Sequence, residues 1–105
     1  MTKLHPAIEK FLQATNAGDY LRFLEAFSAD AVIVDWGRKF AGREEIDRWN
    51  QLENIGTQNQ IRVTGSRMSG QDTVLDVDVS GRGFNGSGTF TITVVDGLIS
   101  SLVIR

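Results

Sequence analysis

The sequence has no cysteine, one histidine and one proline among its 105 residues. The absence of cysteine excludes disulfide frameworks, thiolate zinc sites and cysteine nucleophiles, and one histidine is too few for the usual zinc site. The net charge of −2 arises from 11 basic and 13 acidic residues, so the chain has no basic excess for binding nucleic acid. We therefore expect no metal, no cofactor and no nucleic-acid partner.

Long apolar runs are also absent. No stretch approaches the roughly 20 apolar residues of a membrane span, and residues 1–6 contain no apolar signal-peptide core. We therefore expect a cytoplasmic protein with no membrane partner. A chain of 105 residues has the usual length of one domain, and such a domain buries about two thirds of its surface. The prediction is a single domain over residues 1–105.

Three helices are predicted in the first half of the chain. Apolar residues at helical spacing mark a first helix over residues 6–17, and Gly18 suits its C-terminal end. Asp19 is a good N-cap for a second helix. A third is predicted over about residues 43–53, where acidic residues in the first turn favour helix formation.

The rest of the chain predicts strands. A β-branched run over residues 31–34 predicts a buried strand that ends at Asp35, and a short edge strand is expected over 38–40. Four more strands are predicted after Thr57, over residues 61–68, 73–84, 87–95 and 98–105. The predicted fold class is α+β, with helices first and a four-stranded antiparallel meander after them.

Two dipeptides are typical of two-residue hairpin turns, Asn85-Gly86 and Asp96-Gly97. If both are type I′ turns, they determine the pairing of the last three strands. The expected partners are Val79 with Ile92, Val77 with Val94 and Gly81 with Phe90 across the first turn, and Val94 with Ile99 across the second.

The last strand breaks the alternation of apolar and polar residues. One predicted face carries Ile99 and Val103, and the other carries Leu98, Leu102 and Ile104. Either a β-bulge interrupts the alternation, or both faces of the sheet are buried at this end. In the second case another copy of the chain is the simplest cover, which predicts a homodimer.

The order of these features resembles a known superfamily. It comprises a helix ending in Asn16-Ala17-Gly18-Asp19, the segment Phe27-Ser28-Ala29-Asp30-Ala31, a strand ending in Asp35, and Ala41-Gly42 opening a helix with Ile46 and Trp49. This order resembles the nuclear transport factor 2-like superfamily, in its ketosteroid-isomerase-like and polyketide-cyclase-like (SnoaL-like) branch. The resemblance implies a cone-shaped, curved antiparallel sheet around three N-terminal helices, with an apolar pocket at the open end. It also implies dimerisation through the outer face of the sheet.

The resemblance carries over only part of the isomerase catalytic site. Asp35 matches the aspartate base that moves the proton. Phe11 stands where those enzymes have a tyrosine oxyanion donor, and Thr91 stands where they have a second, protonated aspartate. Losing one oxyanion donor typically costs about 10²–10³ in rate. Steroid isomerisation of the usual kind is therefore not expected.

Two interpretations of the candidate residues stay open. Asp35 is either a base that removes a proton α to a carbonyl or a structural residue that caps the following turn or pairs with Arg38. Trp36 and Trp49 either wall a ligand pocket or are plain core aromatics. The predicted ligand-binding residues are Phe11, Trp36, Trp49 and Thr91. The predicted function is binding of a small apolar ligand, with proton transfer on a carbonyl compound as its chemistry. The alternative is a non-catalytic binding or dimerisation module.

A second group of charged residues, Asp76, Asp78 and Arg82, alternates along one predicted strand. Two carboxylates and an arginine are able to support epoxide hydrolysis, as in another branch of the superfamily. Charged residues on a strand more often mark its solvated side. We favour a solvated face, with Thr91 and Thr93 as cross-strand partners.

Overall fold

The computed structural model describes residues 3–105. Within that range the chain forms three α-helices and six strands. The helices are α1 (Pro6–Ala17), α2 (Tyr20–Glu25) and α3 (Gly42–Glu53), and a 3₁₀ turn, Ile55–Thr57, follows α3. The strands are β1 (Phe27–Asp35), β2 (Arg38–Ala41), β3 (Gln60–Ser69), β4 (Asp72–Ser80), β5 (Gly86–Val95) and β6 (Leu98–Ile104).

All six strands belong to one curved sheet with the order β2-β1-β6-β5-β4-β3. The helices precede the meander β3 to β6, so the predicted α+β fold class is confirmed. One pairing differs from an all-antiparallel sheet, because β1 lies parallel to β6. That pairing places the C-terminal ends of β1 and β6 side by side at one end of the sheet.

The helix ends follow the local signals in the sequence. Gly18 ends α1 with a left-handed φ of 72°, and its N–H donates to the carbonyls of Ala14 and Thr15. Asp19 caps α2, because its side chain accepts a hydrogen bond of 3.1 Å from the backbone N–H of Arg22. The predicted end of α1 and start of α2 are confirmed.

The core lies between the helices and the concave face of the sheet. Phe11 on α1 is completely buried. Its ring centroid lies 5.7 Å from that of Phe23, 5.8 Å from that of Phe27 and 6.0 Å from that of Phe90. Aromatic pairs at such distances add to the stabilisation from burial alone. This cluster joins α1, α2, β1 and β5.

The pairing of β4 with β5 differs from the prediction. Ile92 lies opposite Thr73, and Val79 lies opposite Gly86. The predicted pairs Val79 with Ile92, Val77 with Val94 and Gly81 with Phe90 are therefore wrong.

The physical reason is a five-residue loop, 81–85, in place of a tight turn. The side chain of Asn85 accepts from the N–H of Gly81 at 3.1 Å and donates to the Gly81 carbonyl at 2.8 Å. The N–H of Arg82 donates to the Thr57 carbonyl at 2.8 Å, so the loop is also attached to the 3₁₀ turn. These bonds end β4 at Ser80, four residues before the predicted end.

The pairing of β5 with β6 agrees with the prediction at Val94 and Ile99 and explains the two-faced last strand. Thr93 pairs with Ser101 while Val94 pairs with Ile99, so Ser100 is the extra residue of a β-bulge. Ile99 and Leu102 are both completely buried as a result. The bulge is thus the correct alternative, and the assignment of Ile99 and Leu102 to opposite faces is wrong.

The outer face of β4 is solvated, as predicted for its acidic residues. Asp78 pairs with Arg62 at 2.6 Å, and Asp76 pairs with Arg67 at 3.1 Å, with all four side chains substantially exposed. The partners are arginines of β3 and not the predicted threonines. Arg82 lies in loop 81–85 and not on the strand.

Candidate functional site

A cavity of about 360 Å³ opens at the end of the sheet where β1 and β6 finish. Small-molecule sites commonly have volumes of about 300–1,000 Å³ and mostly apolar walls. Five of the nine aromatic residues in the sequence line this cavity. They are Phe11, Trp36, Trp49, Phe84 and Phe90.

A second cavity, of about 540 Å³, lies at the opposite end of the sheet. Its walls come from residues 3–5, from the β3–β4 hairpin and from the β5–β6 turn. None of the predicted site residues lines it. The cavity at the ends of β1 and β6 is therefore the candidate site.

Asp35 lies in the candidate cavity with its side chain 14% exposed. Its Oδ2 atom accepts a hydrogen bond of 3.0 Å from the indole Nε1 of Trp49 and one of 2.9 Å from Nη2 of Arg38. Both bonds use the same oxygen, and no side-chain donor within residues 3–105 contacts Oδ1. One carboxylate oxygen is thus held in place, while the other is available to a ligand.

Arg38 connects the two carboxylates of the cavity. Its Nη1 and Nη2 atoms donate to the carboxylate of Glu53 at 2.9 Å and 2.5 Å, and Nη2 also reaches Asp35. The hydrogen bond to Glu53, with the negative charges of Glu53 and Asp35, raises the pKa of Arg38 above its ordinary value. The ring of Phe40 lies 5.6 Å from the guanidinium carbon. Asp35 pairs with Arg38, which is one of the two contacts expected if Asp35 is a structural residue. Asp35, Arg38 and Glu53 together carry a net charge of −1.

The two tryptophans occupy different parts of the cavity. Trp49 on α3 is 4% exposed and packs in the core, with its ring centroid 6.2 Å from that of Phe23. Trp36 is 65% exposed and lies in the turn after β1. Trp49 is therefore both a core residue and a wall of the cavity, whereas Trp36 borders its mouth.

Of the other two predicted ligand-binding residues, Phe11 lies in the cavity and Thr91 does not. Phe11 lines the buried part of the cavity. Thr91 does not line it, because Thr91 lies between Phe90 and Ile92 on β5, and both of these neighbours point into the core. Alternation along the strand places Thr91 on the outer face of the sheet. The structure therefore does not bring Thr91 to this cavity, whereas Phe90 lines it.

The sequence interpretation missed several residues of the cavity wall, among them Glu53, Gly83 and Phe84. Glu53 ends α3 beside Arg38, and nothing local in the sequence indicates that pairing. Gly83 and Phe84 come from loop 81–85, although both were predicted to lie at the end of a strand. The closely spaced glycines of this segment were a usable signal, because glycine in a strand often marks a bend or a close approach.

A buried polar network supports one wall. The Nδ2 atom of Asn54 donates to Thr15 Oγ1 at 3.2 Å and to Asn50 Oδ1 at 3.0 Å, and Asn59 Nδ2 donates to Asn54 Oδ1 at 3.2 Å. These hydrogen bonds connect α1, α3 and the start of β3. The amides use most of their donors and acceptors on one another, so they act as structural groups.

The described part of the chain contains neither a cluster of metal-binding side chains nor a membrane-spanning helix. Among residues 3–105, no three histidine or acidic side chains lie close enough together to bind a metal ion. Over the same part of the chain, every helix is too short or too polar to cross a membrane.

Comparison with known proteins agrees with this architecture. The model of the SnoaL-like domain family matches residues 8–102. A candidate polyketide cyclase from Sinorhizobium meliloti is 27% identical, with a TM-score of 0.89 over 97% of this chain and 95% of that one. No curated protein matches the sequence.

More distant structures share the fold. A Δ5-3-ketosteroid isomerase from Mycobacterium sp. is 17% identical, with a TM-score of 0.81 over 94% of this chain and 88% of that one. An NTF2-like protein of unknown function from Cytophaga hutchinsonii is 15% identical, with a TM-score of 0.82 over 100% of this chain and 93% of that one. The resemblance to nuclear transport factor 2-like proteins is confirmed, and the chain belongs to the SnoaL-like domain family.

Proposed function

We propose that the cavity at the ends of β1 and β6 binds a small apolar carbonyl compound, and that Asp35 is the base that moves a proton next to the carbonyl. The observation that carries this proposal is the geometry of the Asp35 carboxylate. Its Oδ2 is held by Trp49 and Arg38, and its Oδ1 has no side-chain donor within residues 3–105. A carboxylate held by one oxygen keeps the other available for proton transfer.

The chemistry follows from the charges around Asp35. Oδ1 takes a proton from the carbon α to the carbonyl, and the electron pair of that C–H bond moves to the carbonyl oxygen as an enolate. Arg38 is the cation that adjoins Asp35, and it offsets part of the developing negative charge. Asp35 then returns the proton to the same carbon or to another carbon of the ligand.

The walls of the cavity favour an apolar ligand. Phe11, Trp49 and Phe90 line it on the core side, and none of the three offers a free donor to an enolate oxygen. The missing tyrosine and second aspartate argue against steroid isomerisation of the usual kind. The likeness to a candidate polyketide cyclase supports proton transfer within a carbonyl compound as the reaction class.

Deuterium exchange tests the catalytic part of the proposal. The protein is incubated in D2O with a series of apolar ketones, cyclohexanone, β-tetralone and androstenedione, and NMR follows the loss of the α-proton signals. We expect faster exchange of at least one ketone with the wild type, and no acceleration with Asp35→Asn. Asp30→Asn, an exposed carboxylate on the same strand, is the matched control and should exchange as fast as the wild type.

A non-catalytic ligand-binding module is the second candidate function. The ion pair between Asp35 and Arg38 favours it, because a carboxylate paired at 2.9 Å already has a structural role. Binding of a ketone without any acceleration of exchange would support this alternative and would overturn the role of Asp35 as base.

We also propose that the protein is a homodimer through the outer face of its sheet. The bulge in β6 removes the argument from the two-faced strand, but three valines and one threonine form a row across this face. Val34, Val103, Thr91 and Val74 lie side by side on β1, β6, β5 and β4. Sedimentation of the wild type and of Val103→Glu tests this, and the expected result is a dimer that the substitution dissociates. A wild-type monomer would contradict the proposed homodimer.

The cytoplasmic location of the protein stays a prediction.

A further inference from the structure

Trp36 has a backbone conformation that tryptophan rarely adopts. Its φ is +49°, in the left-handed region where Cβ crowds the following carbonyl oxygen. Within residues 3–105 the non-glycine residues with positive φ are Trp36, Gln58 and Asp96. Trp36 is the aromatic residue among them, and bulky residues at positive φ are genuine outliers.

The turn that contains Trp36 does not itself require tryptophan. Trp36 and Gly37 have φ values of 49° and 85°, and Asp96 and Gly97 in the β5–β6 turn have values of 52° and 82°. The two turns thus share nearly the same φ values at their central residues. Aspartate and asparagine suit the first of these positions, because they tolerate the left-handed region and favour such hairpin turns.

Packing does not explain the indole either. The residue is 65% exposed, so its ring buries little surface on folding. The backbone N–H of Trp36 donates to the Ile104 carbonyl at 3.1 Å, and nearly any residue there would make that bond. Within residues 3–105, neither burial of the ring nor this backbone bond gives a reason for tryptophan that would offset the strain.

The position of the ring in the cavity supplies a reason. Trp36 lines the mouth together with Leu52, which is 65% exposed, and Phe84, which is 50% exposed. Large apolar side chains grouped at the opening of a cavity are typical of a surface that a ligand covers. Trp36 also follows Asp35 directly, and both residues line the cavity.

We infer that Trp36 is a specificity-determining residue of this cavity, whose indole covers the apolar part of the bound ligand at the mouth, and that the chain retains it there at the expense of folding stability. The inference rests on the proposed function, because it needs a ligand in the cavity. It adds to that function a residue that lowers folding stability and strengthens ligand binding.

The test measures stability and binding on the same variants. The chain has two tryptophans, so the Trp49 indole N–H signal in ¹H–¹⁵N spectra reports binding even after Trp36 is replaced. Each ketone of the series above is titrated against each variant. Trp36→Asn should raise Tm by about 4–8 °C, because it relieves the backbone strain. It should also weaken binding of the ketones by about tenfold, because the ring contact is lost. Trp36→Phe should keep most of the binding and a Tm near that of the wild type.

The reciprocal substitution is the matched control. Asp96→Trp places tryptophan at the equivalent turn position, and Asp96 does not line the candidate cavity. It should lower Tm by a similar amount and leave ketone binding unchanged.

The possible results separate the two proposals. Higher Tm with unchanged ketone binding in Trp36→Asn would overturn the role of Trp36, while the cavity would remain a ligand site. A lower Tm in Trp36→Asn would also overturn the inference, because the indole would then stabilise the fold. If no ketone shifts the Trp49 signal of the wild type, the proposed function itself fails.

Discussion

The indole N–H of Trp49 donates to Oδ2 of Asp35 across 3.0 Å, and this bond connects α3 to the end of β1. Trp49 is nearly buried, and the Asp35 side chain is 14% exposed. Trp49 on α3 and Arg38 on β2 therefore hold the same oxygen of the carboxylate. This relationship determines which oxygen of Asp35 remains available in the cavity.

Replacing Trp49 by phenylalanine should measure the strength of this bond. Trp49→Phe keeps an aromatic ring in the wall and removes the donor to a charged, mostly buried oxygen. We expect a loss of about 2 kcal/mol in the free energy of unfolding, since hydrogen bonds to charged groups contribute about 1.5–3 kcal/mol. Urea denaturation measures it. Trp36→Phe, at an exposed position, should change the free energy by less than about 0.5 kcal/mol. Equal losses in the two variants would contradict the account.

The pH dependence of stability should reveal the pairing of Arg38 with Glu53. The pKa of Arg38 is raised above its ordinary value, so the stabilisation from its positive charge is complete below that value and is lost only as the pH rises through the raised pKa. A lysine at this position would lose its charge above about pH 10.4. The Tm difference between the wild type and Arg38→Lys should therefore widen from about pH 8 to about pH 11. The other titrating groups are the same in both proteins, so their contributions to the Tm difference cancel. A constant difference would show that the charge pair does not contribute.

The side chain of Asn85 should control the cavity wall formed by loop 81–85. It makes bonds of 3.1 Å and 2.8 Å with the N–H and carbonyl of Gly81, so Asn85→Ala should lose about 1–2 kcal/mol. Ketone binding should weaken too, because Phe84 on this loop lines the cavity. Asn85→Asp keeps the acceptor and loses the donors, so its loss should be intermediate. Urea denaturation and the indole titration give the two readouts. Unchanged binding in Asn85→Ala would show that the loop does not shape the site.

Phe11 is the position at which a hydroxyl should improve the proposed chemistry. Phe11→Tyr places a donor at the buried part of the cavity and should accelerate ketone exchange in D2O. A stability loss of about 1–3 kcal/mol accompanies a buried hydroxyl without a partner. Phe23 is equally buried and packs against Phe11 but does not line the cavity. Phe23→Tyr should therefore lose stability without any gain in exchange. The same exchange rate in both variants would argue against an enolate in this cavity.

Local signals in the sequence were sufficient to predict most of the fold. Gly18 and Asp19 mark the junction of two helices because a left-handed glycine and a side-chain cap depend only on neighbouring residues. The Asp96-Gly97 turn and the Val94–Ile99 pair were predictable for the same reason.

Pairings that depend on distant residues were not predictable in the same way. Asn85-Gly86 has the sequence of a tight turn, but Asn85 bonds back to Gly81 and Arg82 is attached to Thr57. Glu53 and Arg38 meet although 15 positions separate them in the chain. Thr91 was assigned to the site from the family resemblance alone, while alternation along its strand already places it on the face opposite Phe90 and Ile92.

The most direct test of the central claim is a titration of the wild type with the ketone series, read from its two indole N–H signals. Trp36 and Trp49 are the only tryptophans in the sequence, and both line the cavity. Trp36→Phe and Trp49→Phe assign the signals. At least one ketone should shift both signals with the same dissociation constant, because one ligand contacts the mouth and the wall together. Titrations in which no ketone shifts either signal would contradict it.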